Sequence, residues 1–218
     1  MSIATLIIGM SGTGKSSSMR NLSPEETLLI QVIRKPLPFR AVDWKYKKPG
    51  EAGNILVADG AAEIITIMRK TTRKIIVIDD FQYMLANEFM RRTDERGFDK
   101  FTDIGKHAWE VIGEASRLDE DKRVYFLSHS DENDAGVVKM KTIGKLLDEK
   151  IAPEGMFTIV LRTIVQDSKY LFSTRNSGSD VVKTPMDMFP DQHIPNDLAE
   201  VDAAIRAYYD ITSTQEAA

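Results

Sequence analysis

The 218-residue chain contains no cysteine. That excludes a disulfide framework, a cysteine-ligated zinc site and a cysteine nucleophile. Histidine is nearly as scarce: the 3 histidines, His107, His129 and His193, stand at unrelated spacings, so a site built from histidine alone is not expected. Long apolar runs are missing too. Stretches such as 75–78 and 124–127 fall far below the ~20 residues that cross a bilayer. The first apolar run is interrupted at Gly9–Lys15, so no signal peptide or membrane contact is expected, and a cytoplasmic location follows. Neither sign of charge dominates. A formal net charge of −4 argues against coating nucleic acid by bulk positive charge, while leaving room for a local basic groove.

What is present is an alternation of two patterns. Apolar runs at 3–8, 27–33, 55–58, 74–78 and 124–127 read as buried strands, and helical spacing of apolar residues occupies 61–70, 81–92, 104–118 and 197–209. Shorter helical segments are expected from Lys15 to Asn21 and over 145–151. The stretches 34–53, 93–103 and 128–144 read as loops. Runs at 157–166 and 169–174 flank a tight Asp167-Ser168 turn and predict an antiparallel hairpin, and Asn196 is the expected cap of the last helix. The predicted class is α/β: one domain over 1–218, with a mainly parallel sheet, helices on both faces and a C-terminal antiparallel hairpin. Its core runs to about residue 190, and a helical segment follows to about 212, with only the last few residues expected to be disordered.

The sharpest signal is GMSGTGKS at Gly9–Ser16. It fits G-x-x-x-x-G-K-[ST] at every fixed position, after a strand and before an expected helix. Backbone N–H groups of Ser11–Lys15 can converge on phosphate oxygens only if the chain wraps tightly. Gly9, Gly12 and Gly14 remove the Cβ atoms that would stand in the way. The whole run, with Met10, Thr13 and Ser17 included, is the expected nucleotide cradle. Lys15 reaches the β- and γ-phosphates, the Ser16 hydroxyl ligates Mg²⁺, and the following helix N-terminus adds partial positive charge.

KIIVIDD at 74–80 supplies a second part, a buried strand that delivers a carboxylate to its C-terminal end. Asp79 is expected to hold Mg²⁺ through a water. Asp80 has two readings, polarising an attacking water or capping the helix that follows. Ser128 and His129 end the 124–127 strand; beside the Asp79 strand they would face the γ-phosphate region, and otherwise His129 is structural.

With the glycine-rich loop, the IVIDD strand and the FLSHS strand in place, the order of parts resembles the RecA-type P-loop ATPase core. It is closest to small phage-encoded proteins of that class, some of them single-strand annealing or recombinase-like. The resemblance spans roughly 3–189. It implies ATP and Mg²⁺ as cofactors, ATP hydrolysis, assembly into a ring or filament with ATP between subunits, and action on single-stranded DNA in recombination, annealing or replication. It also implies a single-strand-binding protein as a further partner, and a host-cell cytoplasmic location. By the same resemblance, the segments around 91–103 and 130–144 match two DNA-facing loops. Lys183 lies where related cores supply a basic residue to a neighbour's γ-phosphate, with Arg175 as a second choice. Such cores carry a catalytic glutamate where this chain has Gln31, in TLLIQVIRK; glutamine orients a water but is a poor base, which points to slow hydrolysis or to Asp80 as substitute.

A nucleic-acid partner has one further basis. The 34–48 stretch places Arg34, Lys35, Arg40, Lys45, Lys47 and Lys48 against Asp43, with Phe39, Trp44 and Tyr46 between them. Basic residues pair with phosphates and exposed aromatics stack on bases, unless those aromatics pack back onto the core. In the second loop only 137–145 is basic enough for such contact, and the charges at 91–103 alternate in the manner of a salt-bridged surface. Two other classes share the loop motif: a small-molecule or nucleotide kinase, and a non-hydrolysing adaptor whose nucleotide cements assembly.

Overall fold

The computed structural model describes residues 1–211. The expected disorder of the last few residues lies outside them. Strands β1 (Ile3–Gly9), β2 (Thr27–Gln31), β3 (Ile55–Val57), β4 (Ile75–Asp79), β5 (Arg123–Glu132), β6 (Val138–Met140), β7 (Ile159–Gln166), β8 (Lys169–Ser173) and β9 (His193–Pro195) join helices α1 (Ala61–Lys70), α2 (Gln82–Arg91), α3 (Asp99–Ala115) and α4 (Leu198–Tyr208). The strands form a mixed sheet in the order β3-β2-β4-β5-β1-β7-β8-β9, with β6 added beside β5. Pairings from β3 through β7 are parallel, and those of β8, β9 and β6 are antiparallel. The chain is thus an α/β protein with a mostly parallel sheet and the expected late hairpin. Among the described residues, no helix is long and apolar enough to cross a membrane.

Alternation along the strands explains why the apolar runs are continuous. In β1, Leu6 and Ile8 enter one core with Ile78 and Phe126, while Ile7 enters the other with Val77 and Leu127. A strand covered on both faces has no polar side to show. Ile64 and Met68 of α1, Leu85 of α2 and Ala108 and Val111 of α3 close the first face. Leu198, Val201 and Ile205 of α4 close the second, with Met19 and Leu22.

Several local expectations are corrected. The segment after the glycine-rich loop is a six-residue 3-10 helix, Ser16–Asn21, rather than the start of an α-helix. Three consecutive serines are weak helix formers, and Ser23-Pro24 ends the turn, so the expected dipole contribution is curtailed. Strand β2 stops at Gln31, two residues early, because the backbone departs for the 34–53 excursion. Helix α3 begins at Asp99 instead of 104: Lys100 is buried and its Nζ donates to the carbonyls of Arg92 and Glu95, closing the end of α2. The 128–144 segment is partly ordered, since β5 runs on to Glu132 and folds back as β6. The 146–151 segment is a wide π-type turn. Helix α4 is capped by Asp197, which accepts from the Ala199 N–H; Asn196 is left to face elsewhere.

Candidate functional site

The parallel register brings the singled-out residues to one edge. Gly9 pairs with His129, Asp79 with Leu127, and Gln31 with Asp79, so the ends of β1, β5, β4 and β2 lie side by side. Carboxyl ends of strands are where open α/β sheets bind ligands. A cleft of about 860 Å³ opens there, bounded by the glycine-rich loop, Lys35, Asp80, His129, Tyr170 and Asn196.

The loop conformation depends on its glycines for distinct reasons. Gly12 and Gly14 adopt φ of +79° and +97°, the left-handed region that side chains avoid. At Gly9 the constraint is packing: a Cβ would fall 1.8 Å from the Thr163 hydroxyl of β7. That hydroxyl lies 2.6 Å from the Thr13 hydroxyl, which donates to the Met10 carbonyl at 2.7 Å, so β7 braces the loop.

Lys15 is buried beneath the loop, and its Nζ donates to the carbonyls of Gly9 at 2.7 Å and Met10 at 2.8 Å. Burial lowers its pKa to about 8, against the partly offsetting charges of Asp80 and Asp79. The Ser16 hydroxyl donates to Asp79, 2.8 Å from Oδ1 and 3.1 Å from Oδ2. Asp79 is almost fully buried; desolvation, with the like charge of Asp80, raises its carboxyl to about 6 despite Lys35 and Ser16.

Asp80 does not cap α2, which has no side-chain cap. It sits at φ +63°, and this left-handed bend turns its carboxylate into the cleft. One oxygen accepts from the Lys35 ammonium, and the other stands 3.8 Å from His129 Nε2. Burial and the nearby Lys15 charge lower the His129 pKa, which favours the neutral imidazole. Gln82 holds this strand end by accepting from the His129 backbone N–H at 3.0 Å.

Gln31 lies at the expected place but faces another task. Its side chain is fully buried, donating to the Lys35 carbonyl at 3.0 Å and accepting from the Tyr46 hydroxyl at 2.6 Å. Both ends of the amide are spent on fixing the excursion after β2. Lys183 is exposed and off the cleft, exchanging backbone hydrogen bonds with Val160. Arg175 is also exposed and donates to the Pro190 carbonyl.

The expected DNA surfaces are largely occupied by internal contacts. Trp44 is buried, Phe39 packs edge-on to it at 6.1 Å, and the Arg34 guanidinium lies over the Tyr46 ring. Arg92 bridges Glu88, Glu95 and Asp103, and Arg91 pairs with Asp59. Lys139, Lys141 and Lys145 pair with Asp148, Asp131 and Glu149.

Sequence reasoning did not single out Lys35, Thr163 or Asn196 for this site. Lys35 and Thr163 carry no motif. Asn196, whose Oδ1 would stand 3.0 Å from a Gly14 Cβ, was masked by its position before a helix. No protein-family model and no curated protein sequence matches the chain.

Proposed function

We propose that this cleft binds ATP with Mg²⁺ and hydrolyses it, on a P-loop core of the RecA type. The observation that carries the reading is the Ser16–Asp79 hydrogen bond, set beside a buried Lys15 at the base of a left-handed glycine loop. Those residues suit the cofactor. Among the described residues no group of three or more acidic or histidine side chains is arranged to hold a metal ion by itself. Mg²⁺ needs none, because it commonly takes one or two protein oxygens and completes its shell with phosphates and waters. Ser16 and Asp79 are the oxygens this chain would offer. Bound Mg²⁺ supplies charge neutralisation at the phosphate oxygens.

The chain's own residues do the rest. Lys15 exchanges the Gly9 and Met10 carbonyls for β- and γ-phosphate oxygens, a stronger charge-assisted partner. Backbone N–H groups of the loop donate to the same phosphates. Asp80, turned toward the cleft, is placed to accept a proton from an attacking water, while neutral His129 offers a hydrogen bond beside it. Gln31, with both amide ends engaged, plays no direct part.

The remainder of the proposal comes from the resemblance: assembly with ATP between subunits, Lys183 acting on a neighbour, and single-stranded DNA as partner. The exposure of Lys183 off its own cleft is consistent with action on another copy, whereas the inward-packed aromatics give base stacking little support. A second reading, a nucleotide-dependent adaptor without turnover, is favoured by the engagement of Gln31. Calorimetry of Mg²⁺–ATP binding, followed by phosphate release with and without single-stranded DNA at fixed salt, separates them. Binding with DNA-stimulated release supports the full proposal. Tight binding without release supports the adaptor, and absence of binding overturns both.

A further inference from the structure

On the reading of the cleft as an ATP site, we propose that Lys35 is a second phosphate-contacting cation, acting at the γ-phosphate from within the same chain. Four observations carry it. Lys35 lines the same cleft as Lys15 and Ser16, although the two segments come from different strands. Its ammonium contacts Asp80, and it stands 4.0 Å from the same Asp79 oxygen that lies 3.1 Å from Ser16. So the ammonium and the Ser16 hydroxyl share one carboxylate oxygen between them.

The third observation is how the residue is held. Gln31 donates to the Lys35 carbonyl at 3.0 Å, and the Tyr46 hydroxyl, at 3.3 Å, reaches the same oxygen. The backbone is therefore fixed while the side chain remains 39% exposed, free to pivot. A fully buried amide committed to this carbonyl, and itself held by the Tyr46 hydroxyl at 2.6 Å, is more than a solvated loop lysine needs. The fourth is charge. Lys15 is drawn under the loop onto the Gly9 and Met10 carbonyls and Lys35 stands beside Asp80, while Arg20, which also lines the cleft with Lys169, is engaged by the Asn196 carbonyl. A triphosphate held by Lys15 would offer its γ-phosphate to the Lys35 ammonium in the same cleft. Lys35 then trades Asp80 for a γ-phosphate oxygen, which frees Asp80 for the attacking water. A diphosphate has no γ-phosphate to offer Lys35.

The test measures affinity as well as turnover. Mg²⁺–ATP and Mg²⁺–ADP affinities are determined by calorimetry for the parent, Lys35→Met and Lys35→Arg, with thermal unfolding of each variant as a fold check. ATP affinity should fall about 10–100-fold in Lys35→Met, the loss of one charged hydrogen bond. ADP affinity should change less than about threefold, and turnover should drop on the order of 100-fold. Lys35→Arg should restore part of the ATP preference. Lys70→Met, which removes equal charge at the opposite edge of the sheet, should alter neither affinity. Equal losses for ATP and ADP, or a parent-like ratio in Lys35→Met, overturn the role of Lys35 while leaving the ATP reading intact. Failure of the parent to bind either nucleotide overturns both. If Lys35→Met does not fold, a parent-like ATP/ADP ratio in Lys35→Gln overturns the proposal, and a collapsed ratio supports it.

Discussion

The Ser16 hydroxyl donates to Asp79 across 2.8 Å, joining the last residue of the glycine-rich loop to the end of a strand 63 positions later. Asp79 is also almost wholly buried, and desolvation raises its pKa to about 6. A carboxyl whose folded pKa exceeds its unfolded value costs stability once pH rises through that window, because the fold disfavours the charged form. Asp79→Asn removes that cost while keeping a hydrogen-bond acceptor for Ser16. The expected outcome is unchanged or higher thermal stability at pH 7.5, with turnover reduced by a factor on the order of 100 or more. Paired unfolding and phosphate-release measurements check it; a destabilised Asn variant with parent-like turnover would show that Asp79 is only structural.

Lys15 sets the opposite limb of the pH profile. Its pKa is lowered to about 8 by burial, so the free site loses this cation as pH rises through that value. Phosphate oxygens favour the ammonium, and binding at pH 9 should take up close to one proton. Asp79 must be ionised to offer an oxygen to Mg²⁺, which sets the acid limb near 6. The expected kcat/KM profile is a bell with limbs near 6 and 8, since kcat/KM reports the free enzyme. Calorimetry at pH 9 in buffers of different ionisation enthalpy measures the proton count, and a count near zero contradicts the Lys15 assignment.

Gly9 shows what the loop motif encodes beyond phosphate approach. Its absent Cβ makes room for Thr163 of β7, whose hydroxyl holds Thr13. Gly9→Ala should therefore displace the loop and lower nucleotide affinity about tenfold or more, with a stability loss of about 1–3 kcal/mol from overpacking. Adding Thr163→Gly should recover part of the stability loss, since the approach to Thr13 Oγ1 at 2.8 Å and the lost brace on the loop remain. A double variant no better than Gly9→Ala would place the constraint elsewhere in the loop.

The placement of the candidate site was legible in the sequence where one local pattern dictates geometry. Gly9–Ser16 and the Asp79-Asp80 pair could be read because a buried strand that ends in a loop delivers its next residues to the sheet edge. The fold class was legible for the same reason, through apolar runs that the two-sided cores of β1, β4 and β5 require. Contacts made by the 34–53 excursion were not legible. Its aromatics and basic residues match a solvent-facing nucleic-acid surface as well as they match a flap folded onto the protein. Tertiary contacts, among them Gln31 with Tyr46 and Asn54 with the Asp43 carbonyl and the Lys45 N–H, fold the excursion back so that Trp44 is buried and Lys35 lines the cleft. Helix boundaries failed where a side chain overrode propensity, as Lys100 did by closing α2 and starting α3 early.

One buried ion pair ties α4 to the second face of the sheet. Arg123 of β5 meets Asp202 of α4 through two hydrogen bonds of 2.9 Å, and the Tyr125 hydroxyl donates to the same carboxylate at 2.6 Å. Arg123 and Asp202 are both buried, so the low dielectric strengthens the pair and also penalises either partner left alone. Asp202→Ala leaves the buried guanidinium with only the Asp121 carbonyl and the Tyr125 hydroxyl with no acceptor. It should cost about 3–5 kcal/mol in denaturant unfolding and loosen α4 from the sheet. Replacing both charges, as Arg123→Met with Asp202→Leu, should recover part of that loss, because the buried guanidinium is gone while the Tyr125 hydroxyl still lacks its acceptor and Arg206 its partner. Nucleotide affinity should be nearly unchanged in the double variant, since the pair lies at the start of β5 and the cleft at its far end. A double variant as unstable as Asp202→Ala would mean that the pair contributes geometry that apolar packing cannot replace.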